Sequence, residues 1–131
     1  MKIAIVVADY NKEITSKMLA VAEKHAKELS LEVDSVVHVP GVYDIPFRVQ
    51  QLLKNEEISG VVTLGAVIQG GTSHDEIVAG TTAKTLQELS LQFEKPVALG
   101  VSGPRMSKEQ AEERIESTSK HAVETVKDLL G

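Results

Sequence analysis

The sequence predicts an α/β fold of three layers, a four-stranded parallel sheet sandwiched between helices. Three observations carry this. Ile3 to Ala8 is an uninterrupted apolar run, the pattern of a strand covered on both faces. Strand-like and helix-like stretches then alternate along the chain, which is the signature of parallel βαβ units. The composition, 131 residues with 42% hydrophobic and 25% charged, is that of an ordinary globular protein and predicts one domain over residues 1–131.

The elements follow in order. After Asp9-Tyr10-Asn11, apolar residues at Ile14, Met18, Val21, Ala22 and Leu29 predict a helix to about Leu29. Leu31 to Val39 alternates and is rich in β-branched residues, and it stops at Pro40-Gly41. Ile45, Val49, Leu52 and Leu53 give a second helix, and Gly60 to Leu64 a third strand. Beyond the loop Gly65 to Gly71, Ser73 and Glu76 have capping-box spacing, opening a helix through Ile77, Leu86 and Leu89 to about Phe93. Pro96 to Val101 is the fourth strand. Ser107 and Gln110 form a second capping-box pattern before a short polar helix through Arg114, and a last helix carries Ala122, Val126, Leu129 and Leu130 on one face. Four strands in strict alternation with helices predict a flavodoxin-like topology.

Charge and composition exclude several functions. Nineteen acidic against fourteen basic residues give a formal charge of −5, without the basic excess that binds a phosphate backbone. No apolar run approaches the roughly 20 residues of a membrane span. Neither nucleic acid nor a membrane is expected as partner. The absence of cysteine removes disulfides, thiolate catalysis and cysteine-held zinc. Met1 runs directly into the first strand without a signal segment, which predicts a cytoplasmic location.

Ligands of such sheets bind beyond the carboxyl ends of the strands. Gly70-Gly71-Thr72-Ser73-His74 is the most informative of those ends. Its glycines permit close approach of the backbone, and the helix that follows offers free N–H groups and a positive dipole end to an anion. His74 stands in the first turn, and an imidazole both takes and gives protons near neutral pH. The bland alternative is a turn followed by an exposed histidine. Asp75 and Glu76 adjoin His74 but point in other directions, and no second histidine is near, so no metal site is expected. Tyr10 and Tyr43 follow the first two strands, where each either stacks on a planar ligand or caps the core. Asp44 is a hydrogen-bond acceptor or a helix-start acid, and Arg114 and Lys120 are phosphate-clamp candidates or solvated surface. A receiver domain would need five βα units and an acid at Gly65-Ala66-Val67, and a flavodoxin a hydroxyl-rich first loop.

Together these segments resemble lumazine synthase. Tyr10-Asn11-Lys12-Glu13-Ile14-Thr15 resembles that family's aromatic-Asn-x-x-Ile-Thr entry into the first helix. Val39-Pro40-Gly41-Val42-Tyr43-Asp44-Ile45-Pro46 resembles its second strand end, and Leu64 to His74 its L-G-x-V-I-x-G-x-T-x-H stretch. The resemblance spans essentially the whole chain. It implies condensation of 5-amino-6-(ribitylamino)uracil with 3,4-dihydroxy-2-butanone 4-phosphate, releasing phosphate and water without a cofactor. It implies that Tyr10 stacks on the pyrimidine, that Tyr43, Asp44 and Ile45 meet the ribityl chain, and that Ala66, Val67 and Ile68 line the uracil edge. Gly71, Thr72 and Arg114 would hold phosphate, and His74 would transfer protons. Tyr10 and Tyr43 stand where Phe is common, Asp44 where Glu is common and Gln69 where Arg is frequent, while Lys120 matches a family lysine across a small gap. The resemblance further implies a homopentamer, and beyond it a sixty-subunit icosahedral shell, with sites shared between neighbours and Leu99 facing the neighbour's heterocycle. The related archaeal-type riboflavin synthase and a noncatalytic flavin- or lumazine-binding shell protein remain the alternatives.

Overall fold

A computed structural model describes all 131 residues. Four strands, β1 (Lys2–Ala8), β2 (Glu32–Val39), β3 (Gly60–Ala66) and β4 (Val97–Ser102), form one sheet in the order β2-β1-β3-β4. Every pairing is parallel. The connecting helices are α1 (Lys12–Glu28), α2 (Ile45–Leu53), α3 (His74–Phe93), α4 (Lys108–Glu113) and α5 (Ile115–Leu130). A short 3-10 turn, Val42–Asp44, precedes α2.

Alternation along β1 divides the interior in two. Ile3, Ile5 and Val7 point to one face and pack with Ile14, Met18 and Ala22 of α1 and Ala122, Val123 and Val126 of α5. Ala4, Val6 and Ala8 point to the other and pack with Ile45, Val49 and Leu53 of α2 and Ala79, Leu86 and Leu89 of α3. The sheet thus lies between two cores, the three-layer arrangement expected. Gly100 lets α5 settle close to β4, because a Cβ there would come within 2.3 Å of the Thr63 carbonyl oxygen and 3.0 Å of Ala122 Cβ.

Several local expectations need correction. β3 runs on through Gly65 and Ala66, because β4 pairs with both. Ile77 and Leu129 are exposed, although the periodicity placed them on buried faces. In α3 the buried set is Asp75, Ala79, Thr82, Leu86 and Leu89, and Thr82 is kept inside by donating to the Val42 carbonyl at 3.4 Å. In α5 the inward stripe begins earlier, at Ser119, and Leu130 packs partly buried against the same core. The Ser73–Glu76 capping box does not form: Ser73 makes no side-chain cap bond. The Ser107–Gln110 box does, with reciprocal bonds of 3.2 and 2.9 Å.

Helices α1 and α5 are also tied by His25. Its Nδ1 lies 3.0 Å from Glu28 Oε1 and its Nε2 2.9 Å from Glu124 Oε2. Bonding to Glu28, then to Glu124, raises the imidazole's proton affinity above its ordinary value of 6.5. The stabilisation from the charged form is therefore complete below the unfolded-state value and is lost as pH rises through the higher folded-state value. His25→Gln should lower the melting temperature near pH 5.5 by roughly 4 °C, equivalent to about 1 kcal/mol for a partly exposed pair. At pH 9 the loss should nearly vanish. Equal losses at both pH values in thermal unfolding would show that the charge contributes nothing.

Candidate functional site

β1 and β3 are neighbours in the sheet, yet the helices that leave them pack on opposite faces. The chain therefore parts beyond their carboxyl ends, at the switch point where sheets of this topology take ligands. A cavity of about 450 Å³ occupies that place. Tyr10 and Asn11 come to it from β1, Gly41, Val42 and Tyr43 from the end of β2, and Ala66, Val67 and Ile68 from β3. Gly70, Thr72, His74, Asp75 and Val78 close it along the start of α3.

Backbone constraints place these groups. Asn11 adopts the left-handed conformation, φ 65° and ψ 48°, which lets the chain turn sharply from strand to helix. Its carbonyl accepts from the Ile14 and Thr15 amides at 2.9 and 3.0 Å, and its side-chain amide donates to the Ala66 carbonyl at 2.9 Å. One residue thus caps α1 and binds the end of β3. Tyr10, held by its own amide on the Pro40 carbonyl at 3.0 Å, is 73% exposed and lines the cavity. Tyr43 on the 3-10 turn is 63% exposed. Two aromatic side chains thus line one cavity, a lining suited to a planar heterocycle.

The helix-start segment supplies the polar wall. Thr72 Oγ1 accepts from the His74 amide at 3.3 Å, and His74 is exposed as the first residue of α3. A Cβ on Gly70 or Gly71 would meet nothing within 4 Å, so this loop stands open to a ligand. Gly71 itself lies between two wall residues. Free amides at a helix start suit an anion. No group of three or more His, Asp or Glu residues is placed to hold a metal ion.

The remaining site candidates lie elsewhere in this copy. Asp44 Oδ2 accepts from the Gly41 amide at 3.0 Å, closing the turn that carries Tyr43, and Ile45 is wholly buried behind it. Leu99, 48% exposed, sits on edge strand β4. Arg114 occupies the break between α4 and α5, exposed to solvent. Lys120 Nζ pairs with Glu116 Oε1 at 2.7 Å, which holds its ammonium above its usual value, in a small groove beside Lys24, His25 and Glu28. Conversely, Asp75 stands on the cavity wall with no sequence signal that marks it for the site, because its partner is a backbone N–H.

A flavodoxin-like α/β protein with a small-molecule site at the β1/β3 switch point is the class these features define. A family model described as 6,7-dimethyl-8-ribityllumazine synthase matches residues 1–130. A protein of that name from Metallosphaera sedula is 52% identical over 125 residues, covering 95% of this chain and 83% of the relative. Another from Sulfolobus acidocaldarius is 52% identical over 130 residues, 99% of this chain and 82% of the relative. One from Staphylothermus marinus is 49% identical over 129 residues, 98% and 86% respectively. The chain belongs to the 6,7-dimethyl-8-ribityllumazine synthase family.

Asn11→Ala removes the bond to Ala66 and puts an alanine in a left-handed conformation, so it should destabilise the fold by about 2 kcal/mol. Denaturant unfolding measures this directly, and a midpoint equal to that of the parent would remove Asn11 from the account.

Proposed function

We propose that this protein is a transferase that condenses 5-amino-6-(ribitylamino)uracil with 3,4-dihydroxy-2-butanone 4-phosphate, giving 6,7-dimethyl-8-ribityllumazine, phosphate and water, and that it does so without a cofactor. The observation that carries the reading is the meeting of Tyr10, Tyr43 and His74 on one cavity, although they are far apart in sequence. Tyr10 stacks on the pyrimidine, Ala66, Val67 and Ile68 line its edge, and the Tyr43-Asp44-Ile45 turn meets the ribityl chain through backbone groups. Asp44 acts mainly by shaping that turn, since its carboxylate already serves the Gly41 amide.

The phosphate of the second substrate sits against Gly71 and Thr72, where open amides and the helix dipole favour an anion. That places the butanone carbons beside His74, which moves protons as the imine forms and as phosphate leaves. Family membership and the exposed strand-end site support a site completed by a neighbouring copy. Arg114, Leu99 and Lys120 then serve the adjacent subunit's cavity, and Ile77, Leu91 and Leu99 are exposed apolar residues available to a homopentamer or a shell built from pentamers. The location proposed is the cytoplasm, and no helix is long and apolar enough to cross a membrane.

Mixing the purified protein with both substrates and following lumazine absorbance and fluorescence tests the reading. No product at any concentration would reject it. His74→Ala should slow product formation about ten- to a thousandfold with assembly intact, the usual range for losing a general acid-base group. Unchanged turnover at saturation would remove His74 from the chemistry. Co-assembled His74→Ala and Arg114→Ala subunits should regain activity above either parent, because some mixed sites carry neither lesion. Confirmed mixing without that gain would place both residues in one subunit's site.

A further inference from the structure

The segment Gly70–His74 has little holding it from within. Its glycines touch nothing where a side chain would be, and its residues are exposed. What anchors it is the end of β4 together with the loop that leads to α4, which grip the chain on both sides of the segment. Upstream, the Val67 amide donates to the Ser102 carbonyl at 2.7 Å and the Gln69 amide to the Met106 carbonyl at 2.9 Å. Downstream, Asp75 Oδ2 accepts from the Arg105 amide at 2.9 Å, and Glu76 Oε1 accepts from Arg105 Nε at 2.5 Å. The loop fits closely: Gly103, at φ 108°, would bring a Cβ within 2.3 Å of the Val67 carbonyl oxygen.

Asp75 is the unusual member of this bracket. It is 5% exposed, and its Oδ1 is buried with no hydrogen-bond partner. A half-satisfied buried carboxylate is a poor device for stability. A carboxylate on the wall of a phosphate site also repels the anion, so its place there calls for another use. We propose that Asp75 is a positioning residue for the phosphate-bearing substrate: by fixing the Arg105 amide to the first turn of α3, its carboxylate holds the Gly70–His74 segment in the shape that receives the anion. The proposal rests on the reading of that segment as the phosphate site. Glu76 reinforces the contact from outside through the Arg105 side chain.

The test compares Asp75→Ala with Asp75→Asn in the assembled protein. Asp75→Ala should raise KM for the butanone phosphate at least about fivefold while KM for the pyrimidine stays within about twofold, since only the phosphate segment is released. Asp75→Asn should recover most of that loss, because its amide oxygen still accepts from the Arg105 amide. Equal rises in both KM values, no rise in either, or failure of the asparagine variant to recover would each overturn the proposal. Should Asp75→Ala fail to assemble, hydrogen exchange in the unaltered protein decides. Saturating inorganic phosphate should slow exchange of the Arg105 amide at least about threefold, because coupling between the anion site and the loop is reciprocal. An unchanged rate would overturn the proposal. That measurement needs no turnover, so a protein that binds phosphate but makes no lumazine would refute the proposed reaction and leave this inference standing.

Discussion

The structure depends on the burial of β1 and β3 from both sides. Every residue of β3 and all of β1 except Lys2 are buried, so their carboxyl ends are where the central strands open to solvent. Burial of this kind requires helices on both faces, and the helices must diverge where two adjacent strands send their chains in opposite directions. The cavity is the consequence of that divergence. It needs no special pocket-forming element.

Core and site are joined through small contacts. Gly65 admits Val42, whose Cγ2 would lie 2.6 Å from a Cβ at that position, and Val42 in turn lines the cavity and receives the Thr82 hydroxyl on its carbonyl. Asn11 plays the same part from the other side, capping α1 with its backbone and holding β3 with its side chain. The aromatic walls are therefore carried by turns whose geometry is set by the sheet.

Much of this was legible in the sequence. Apolar runs and β-branched alternation located all four strands: burial on two faces marks β1 and β3, and alternation marks the half-buried edge strand β2. The site segments were legible because a parallel sheet confines ligands to strand ends, and the order of the motifs then indicated the family. Other features escaped for physical reasons. Ile77 and Leu129 satisfy a helical repeat, but no core lies opposite them; Ser73 has the spacing of a cap, yet Arg105 claims Glu76. Such outcomes depend on partners brought close only by folding. Leu99 is indicated by family resemblance alone, Arg114 and Lys120 also by their charge, and none of the three lines the cavity within one copy.

The placement of the two tyrosines has an optical consequence. The chain has no tryptophan, and its only tyrosines, Tyr10 and Tyr43, both border the cavity. All of its intrinsic phenolic emission thus originates at the site, with no background from the rest of the fold. A heterocycle bound in that cavity would quench or accept that emission, so the unlabelled protein carries its own reporter of occupancy.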